Sequence, residues 1–346
     1  MSEPTVAIDP AAQPDSEQPS PGSKRSGGLS PWGQFALKRG IGLILTVIVL
    51  VLVTFFIVRL IPGDPAVSAA GSDATPAQVE AVRQQLGLNV SLPQQFINYV
   101  SGLLHGDLGQ SFSLRGSVTS VVLARLPFTA GIAFIAMALV LVVAVPLGMA
   151  VGVATRGGRR RWLDSIFGFG TGLIAAIPSY VMATFLVLIF AITFTLFPPA
   201  YSRVHPATSF VLPVLGLAIG PICIVARVVR RETSVVLEQD FMRTARGWRL
   251  RGARLYAKYA LPSLMTSTLT LSGLILTSML GSAIIVETVF GWPGLGLGVV
   301  QAIINKDYPV IQGIILVLGL LAALLTLFVD ILLGLIDPRT LGSKHD

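Results

Sequence analysis

Few residues in this chain could carry out chemistry, and their placement excludes most kinds. Ionisable groups beside the long apolar stretches are scarce: Arg59, Glu287 and Asp330, all toward the ends of those stretches. A proton relay through a membrane needs carboxylates nearer the midplane. The chain has no G-x-x-x-x-G-K-[ST] phosphate loop, no H-E-x-x-H helix and no paired cysteines. Cys223 is the single cysteine, so neither an intrachain disulfide nor a cysteine-built metal site can form. His105, His205 and His345 are scattered and imply no metal site. No residue is assigned a catalytic role, and the chain is expected to bind no cofactor. Any uphill work done through it needs an energy source outside it.

Two other constellations could act by binding. Thr270, Ser272, Thr277, Ser278 and Ser282 give one apolar stretch a polar stripe. Such residues line a polar pathway or hydrogen-bond between helices. The second constellation is Glu238-Gln239-Asp240-Phe241-Met242-Arg243-Thr244-Ala245-Arg246-Gly247-Trp248-Arg249. At helical spacing, Phe241, Ala245 and Trp248 share one face, and Arg243, Arg246 and Arg249 another. This helix either lies on the anionic inner leaflet or plugs into a groove on another protein.

The elements that position these groups follow from composition. The chain is 53% hydrophobic and 12% charged, with a mean hydropathy of +0.77. A soluble domain is about a quarter charged. Six stretches reach the ~20 apolar residues needed to cross a bilayer: about 40–61, 129–154, 169–195, 209–229, 264–287 and 310–334. Each must be helical, since lipid offers a backbone amide no partner. Pro146, Pro178, Pro213 and Pro221 fall inside them and should bend them.

Orientation follows from the cations. With the N-terminus inside, the inner segments 1–40, 155–163, 227–260 and 335–346 hold 4, 4, 9 and 2 Lys or Arg, 19 of 25. The outer segments 61–126, 196–208 and 288–308 hold 3, 1 and 1. The positive-inside rule then places both termini in the cytoplasm. The net charge of +8 is explained by these loops and not by nucleic-acid binding, for which no basic domain with aromatic platforms exists. Trp32, Trp162, Trp292 and Tyr308 lie near span ends, as an interfacial aromatic belt would.

Residues 1–31 are rich in Pro, Ser, Gly and acidic residues and are expected to be disordered, with no signal peptide. In the outer segment 61–126, Thr75-Pro76-Ala77-Gln78 reads as a capping box opening a helix that stops at Gly87. Ser91 to Leu104 reads as a second, amphipathic helix. The pair forms a cap that either covers span ends or receives a soluble partner.

Seven landmarks then stand in order. They are Arg59-Leu60-Ile61-Pro62-Gly63-Asp64-Pro65, Gly106-Asp107-Leu108-Gly109-Gln110-Ser111, Ile177-Pro178 and Gln239 to Arg246. Phe290-Gly291-Trp292-Pro293-Gly294-Leu295-Gly296, Asp307 to Gly313 and Asp337-Pro338-Arg339 complete the set. Over roughly residues 35–340 the chain resembles the first-type permease subunit of oligopeptide, dipeptide and nickel ABC importers. The resemblance implies an all-α membrane protein with six transmembrane helices and the type I ABC importer permease fold. It implies a cytoplasmic tail over 1–34, a first span with its extracytoplasmic cap over 35–124, and a five-helix transmembrane domain over 125–335. A cytoplasmic tail over 336–346 would follow.

Within that domain the loop 230–260 would carry the coupling helix. Its contacts to an ATPase would be Asp240, Phe241, Arg243, Thr244, Ala245, Arg246 and Gly247, with Phe241 as the apolar plug. Phe290, Gly291, Trp292, Pro293 and Gly294 would form an outer-face motif. The implied partners are a second, homologous permease, two ABC ATPase subunits carrying ATP and Mg, an extracytoplasmic solute-binding protein and membrane lipid. The implied cargo is peptide, with nickel chelates or glutathione as alternatives and a stand-alone secondary transporter as a more distant rival. One departure stands out: Arg249 occupies the place where the family has glycine, and glycines fall instead at 247 and 252.

Overall fold

Lipid forces the backbone to satisfy its own hydrogen bonds, and the computed structural model is helical nearly throughout. It describes residues 31–60, 63–71, 73–114, 116–248 and 252–336. The expectations for the N-terminal tail, for Ile61, Pro62 and Arg249, and for Asp337-Pro338-Arg339 therefore lie outside the described residues. In chain order the helices are α1 (Pro31–Leu60), α2 (Pro65–Ala70), α3 (Pro76–Gln85), α4 (Leu92–Leu104) and α5 (Val118–Ala154). Then come α6 (Arg161–Ala176), α7 (Ser179–Leu186), α8 (Pro206–Ser209), α9 (Val211–Val236), α10 (Asp240–Gly247) and α11 (Gly252–Leu255). The last three are α12 (Leu261–Val289), α13 (Leu295–Ile304) and α14 (Tyr308–Ile336). Among the described residues the β pairing is one isolated bridge, Gln110 to Ser117.

Five helices are long and apolar enough to cross a membrane unbroken: Trp32–Leu60, Val118–Ala154, Pro206–Val236, Ser267–Val289 and Tyr308–Leu335. The remaining expected span, 169–195, is not one helix. Residues Arg161–Ala176 and Ser179–Thr193 meet at a 93° bend. Ile177 is extended there (φ −72°, ψ 121°), because the ring of Pro178 excludes its predecessor from the α region. The second arm widens into a π turn over Val187–Thr193. Pro146 and Pro221 lie inside α5 and α9, together with Pro127 in α5. Pro213 sits at the start of α9, just after the α8–α9 junction at Phe210.

The core gathers residues of α5, α7, α9 and α12, among them Ile132, Val140, Leu217, Val225, Met279 and Val286. The most intimate pair is α5 with α9. Gly148 and Gly152 make that approach possible. A Cβ at Gly148 would lie 2.5 Å from the Ala226 carbonyl oxygen, and one at Gly152 2.8 Å from that of Arg230. An Arg230–Asp164 ion pair fastens α6 to α9, and Arg39–Asp330 (2.9 Å) fastens α1 to α14.

On the outer side the capping box forms as expected: Thr75 N donates to Gln78 Oε1 (2.8 Å) and Gln78 N to Thr75 Oγ1 (3.4 Å). Gly87 follows α3 at φ +63°. Asp64 caps α2 through Ala66 N (2.9 Å) and ion-pairs with Arg83 of α3. α4 rests on α1 through Phe55 against Phe96 (5.1 Å between centroids) and a Tyr99–Thr54 hydroxyl bond (3.0 Å).

The aromatic belt needs correction. Trp32 and Trp162 are exposed, at 41% and 64%, but Trp292 and Tyr308 are 0% and 1% exposed and belong to the interior. Their position near span ends reflects a folded outer loop that packs back into the bundle. Gly148→Val should overpack the α5–α9 contact and cost about 2 kcal/mol. Thermal unfolding of the detergent-purified chain reads this directly, and an unchanged melting temperature would remove the close-approach argument.

Candidate functional site

On the basic side of the bundle, α10 stands on a small apolar seat. Met242 and Ala245 are 0% and 1% exposed. They pack with Val236 and Leu237 from the end of α9, and with Leu255, Ala260 and Leu264 leading into and along α12. Arg246 reaches back to donate to the Leu237 carbonyl (2.5 Å). Burial and the nearby Arg156 lower its pKa from the usual arginine value. The opposite face carries Phe241, 41% exposed, with Asp240, Arg243, Thr244 and Gly247 exposed around it. Arg243 pairs with Asp240 along the helix (3.4 Å).

The structure thus splits the expected face. Phe241 and Trp248 point outward, whereas Ala245 turns inward and holds the helix in place. Ala245 is corrected from a contact to a support, because a residue 1% exposed offers a partner no surface.

On the other side, the stretch from Glu287 to Gly296 folds into the interior. Glu287 is 0% exposed. Its carboxylate accepts from Thr129 Oγ1 of α5 (2.6 Å) and from the amides of Gly296 (2.6 Å) and Leu297 (3.2 Å). Those amides are unpaired donors of the first turn of α13, where a negative group is favoured. Thr129 Oγ1 in turn accepts from Leu295 N (2.8 Å). Glycine is required at 294, where a Cβ would lie 2.4 Å from the Glu287 carboxyl, and at 296, where it would lie 2.4 Å from Ile284 Cα.

Trp292 donates to the Phe128 carbonyl (3.2 Å) and packs edge-on against Phe210, Tyr201 and Phe128. Among Phe290, Gly291, Trp292, Pro293 and Gly294, only Gly291 is exposed. The expected outer-face motif is therefore an internal brace, drawn inward by its aromatic rings and the Glu287 carboxylate.

A second buried carboxylate anchors the outer loop. Asp307, 0% exposed, accepts from the Ser111 and Ser113 hydroxyls (2.5 Å each) and from the Ser113 (3.0 Å) and Phe112 (3.2 Å) amides. Burial alone would raise its pKa. The two hydroxyls and two amides outweigh burial and hold the carboxyl below the usual aspartate range.

The polar stripe of α12 divides. Ser272 is 4% exposed and bonds the Thr268 carbonyl (2.7 Å). Thr277 meets Thr326 of α14 (3.3 Å). Both serve packing. Thr270 and Ser278 are exposed and Ser282 is half-buried. With Leu274, Gly281, Ile285 and Thr288 they form an uncovered face of mixed polarity along α12.

Sequence reasoning gave no role to Thr129 or Ser113, and named Ser111 only as the end of a landmark. The signal was the recurrence of small polar residues inside otherwise apolar or glycine-rich segments. Among the described residues no cluster of His, Cys, Asp and Glu could hold a metal.

Comparison with known proteins places the chain in a family. Residues 144–342 match the model of the binding-protein-dependent transport system inner membrane component family, and residues 33–133 match its N-terminal companion. A permease protein of Brucella abortus (strain 2308), named for a peptide transport system, is 35% identical over 309 residues, covering 88% of this chain and 97% of that one. The glutathione transport system permease protein GsiC of Pectobacterium atrosepticum is 35% identical over 311 residues, with the same coverage. A chain of the inward-facing MetNI methionine ABC transporter superposes with a TM-score of 0.50 at 17% identity, covering 63% of this chain and 96% of that one. At that identity the likeness shows the fold.

Asp307→Asn should destabilise the outer side by about 3 kcal/mol at neutral pH, because an amide turns donors toward the two hydroxyls. A depressed carboxyl pKa contributes stability above its unfolded value, near 3.9, and loses it as pH falls through the lower folded value. Thermal melts at pH 7, 5 and 3 should show wild type losing this increment only at the acid end. The variant should lack that step, and equal acid sensitivity in both proteins would count against the anchor.

Proposed function

Because the chain belongs to the binding-protein-dependent transport system inner membrane components, a family of multi-pass inner-membrane permeases, we propose that it forms half the translocation pathway of an ATP-driven peptide importer. The observation that carries this reading is the build of α10. A large aromatic is held outward, while Met242 and Ala245 press the other side onto the ends of α9 and α12. An exposed apolar plug on a packed apolar seat suits a groove on a soluble partner better than a leaflet surface.

In this reading Phe241 enters a cleft of an ABC ATPase, with Asp240, Arg243, Thr244 and Gly247 around it. Two such ATPase subunits hold ATP and Mg. Nucleotide-driven closure displaces α10, and the seat passes that displacement to α9 and α12. The uncovered α12 face with Thr270, Ser278 and Ser282 lines the passage, closed on its far side by a second, homologous permease. An extracytoplasmic binding protein delivers solute to the capped outer side. Peptide is the cargo class supported by the names of the relatives. Glutathione, itself a tripeptide, falls in the same class.

Phe241→Asp should abolish recovery of ATPase subunits with the tagged permease and leave the unfolding free energy within about 0.5 kcal/mol of wild type. Normal recovery would reject the plug. In proteoliposomes the chain alone should pass no peptide, and uptake should require the ATPases, ATP and binding protein together. ATP-independent flux through the chain alone would favour a secondary transporter.

A further inference from the structure

The basic end of α1 and the end of α14 enclose a cleft of about 390 Å³ that the transport reading does not use. Its mouth carries Lys38, Arg39 and Asp330, and its body is walled by small side chains of α14, including Ala322, Ala323 and Thr326. Asp330 lies about 33 Å along α14 from Tyr308, at the edge of a hydrocarbon core of about 30 Å. Gly319, at the deep end, lies about 16 Å away from Asp330. There the cleft is stopped by Leu50, whose side chain sits where a Cβ on Gly319 would go (2.4 Å). The cleft therefore runs from the inner interface to the bilayer midplane, the depth of one leaflet.

The charges at the mouth define the ligand. Arg39 Nη2 binds Asp330 Oδ1 (2.9 Å). The other oxygen, Oδ2, is buried with no hydrogen-bond partner. A buried carboxylate oxygen without a donor is costly and calls for one. Lys38 makes no ion pair among the described residues. Among the described residues the mouth thus offers one unmet acceptor and one cation without an ion pair, beside a groove open to lipid.

We propose that this cleft binds one inner-leaflet aminophospholipid. Its ammonium donates to Asp330 Oδ2, its phosphate lies on Lys38, and one acyl chain fills the body beside Ala323. A phosphatidylglycerol headgroup brings a net negative charge to the carboxylate and offers Oδ2 only neutral hydroxyl donors, without a cation. A choline headgroup has no N–H to donate.

The full-length chain is delipidated in detergent and offered equal phosphatidylethanolamine, phosphatidylcholine and phosphatidylglycerol with identical palmitoyl-oleoyl chains. Native mass spectrometry counts the lipid retained. One phosphatidylethanolamine should be retained over phosphatidylcholine by about tenfold, the worth of one charge-assisted hydrogen bond. Asp330→Asn should erase that preference. Ala323→Leu, which blocks the body and leaves the Arg39–Asp330 pair intact, should release the lipid whatever its headgroup. Equal retention of the three lipids by wild type, preference for phosphatidylglycerol, or unchanged binding in Ala323→Leu would each overturn the assignment. Should Asp330→Asn fail to fold, the wild-type headgroup comparison and Ala323→Leu decide the matter.

Discussion

The Glu287 carboxylate is the point on which the outer half of this molecule depends. A charge with no exposure to solvent is tolerated only when donors surround it. Here one hydroxyl from α5 and two amides from the start of α13 do so. The same contacts fix the direction of α13, seat Trp292 among three rings and leave room for nothing larger than glycine at 294 and 296. Asp307 repeats the device beyond the far end of α13. It ties the start of α14 to the loop before α5 through Ser111, Ser113 and Phe112. Two buried acids thus do in this outer region what a disulfide would do in a chain with more cysteines.

The inner side is built on the opposite principle. α10 touches its own bundle through Met242 and Ala245, with one directional bond, from Arg246, at its edge. Apolar contact is non-directional and tolerates sliding. The outer side is pinned by directional bonds and the inner side is held by apolar contact.

How much of this was legible in the sequence depended on range. The spans were readable because about 20 apolar residues is a length that lipid itself imposes. The cap helices were readable because Thr75 and Gln78 act within one turn. The 93° break was only half readable: Pro178 announced a disturbance, but a bend and a change of direction look alike in sequence. The buried acids were not legible as such, since Glu287 meets Thr129 across 158 residues and Asp307 meets Ser111 across 196. On α10 the helical period gave relative angles between Phe241 and Ala245 but not the direction of the seat. A small residue and a large one a turn apart can therefore land on different sides of a buried stripe.

α12 runs 29 residues from Leu261 to Val289 without an interior proline, a rod of about 43 Å. Near one end Leu264 rests in the sliding seat, and near the other Glu287 is held by short, angle-sensitive bonds. Were the rod to tilt about its clamped end, displacement would grow in proportion to distance from that pivot, and Ser278 would travel about two-fifths as far as Leu264. The fulcrum of such a lever lies at Glu287, and its widest swing at the Leu264 end.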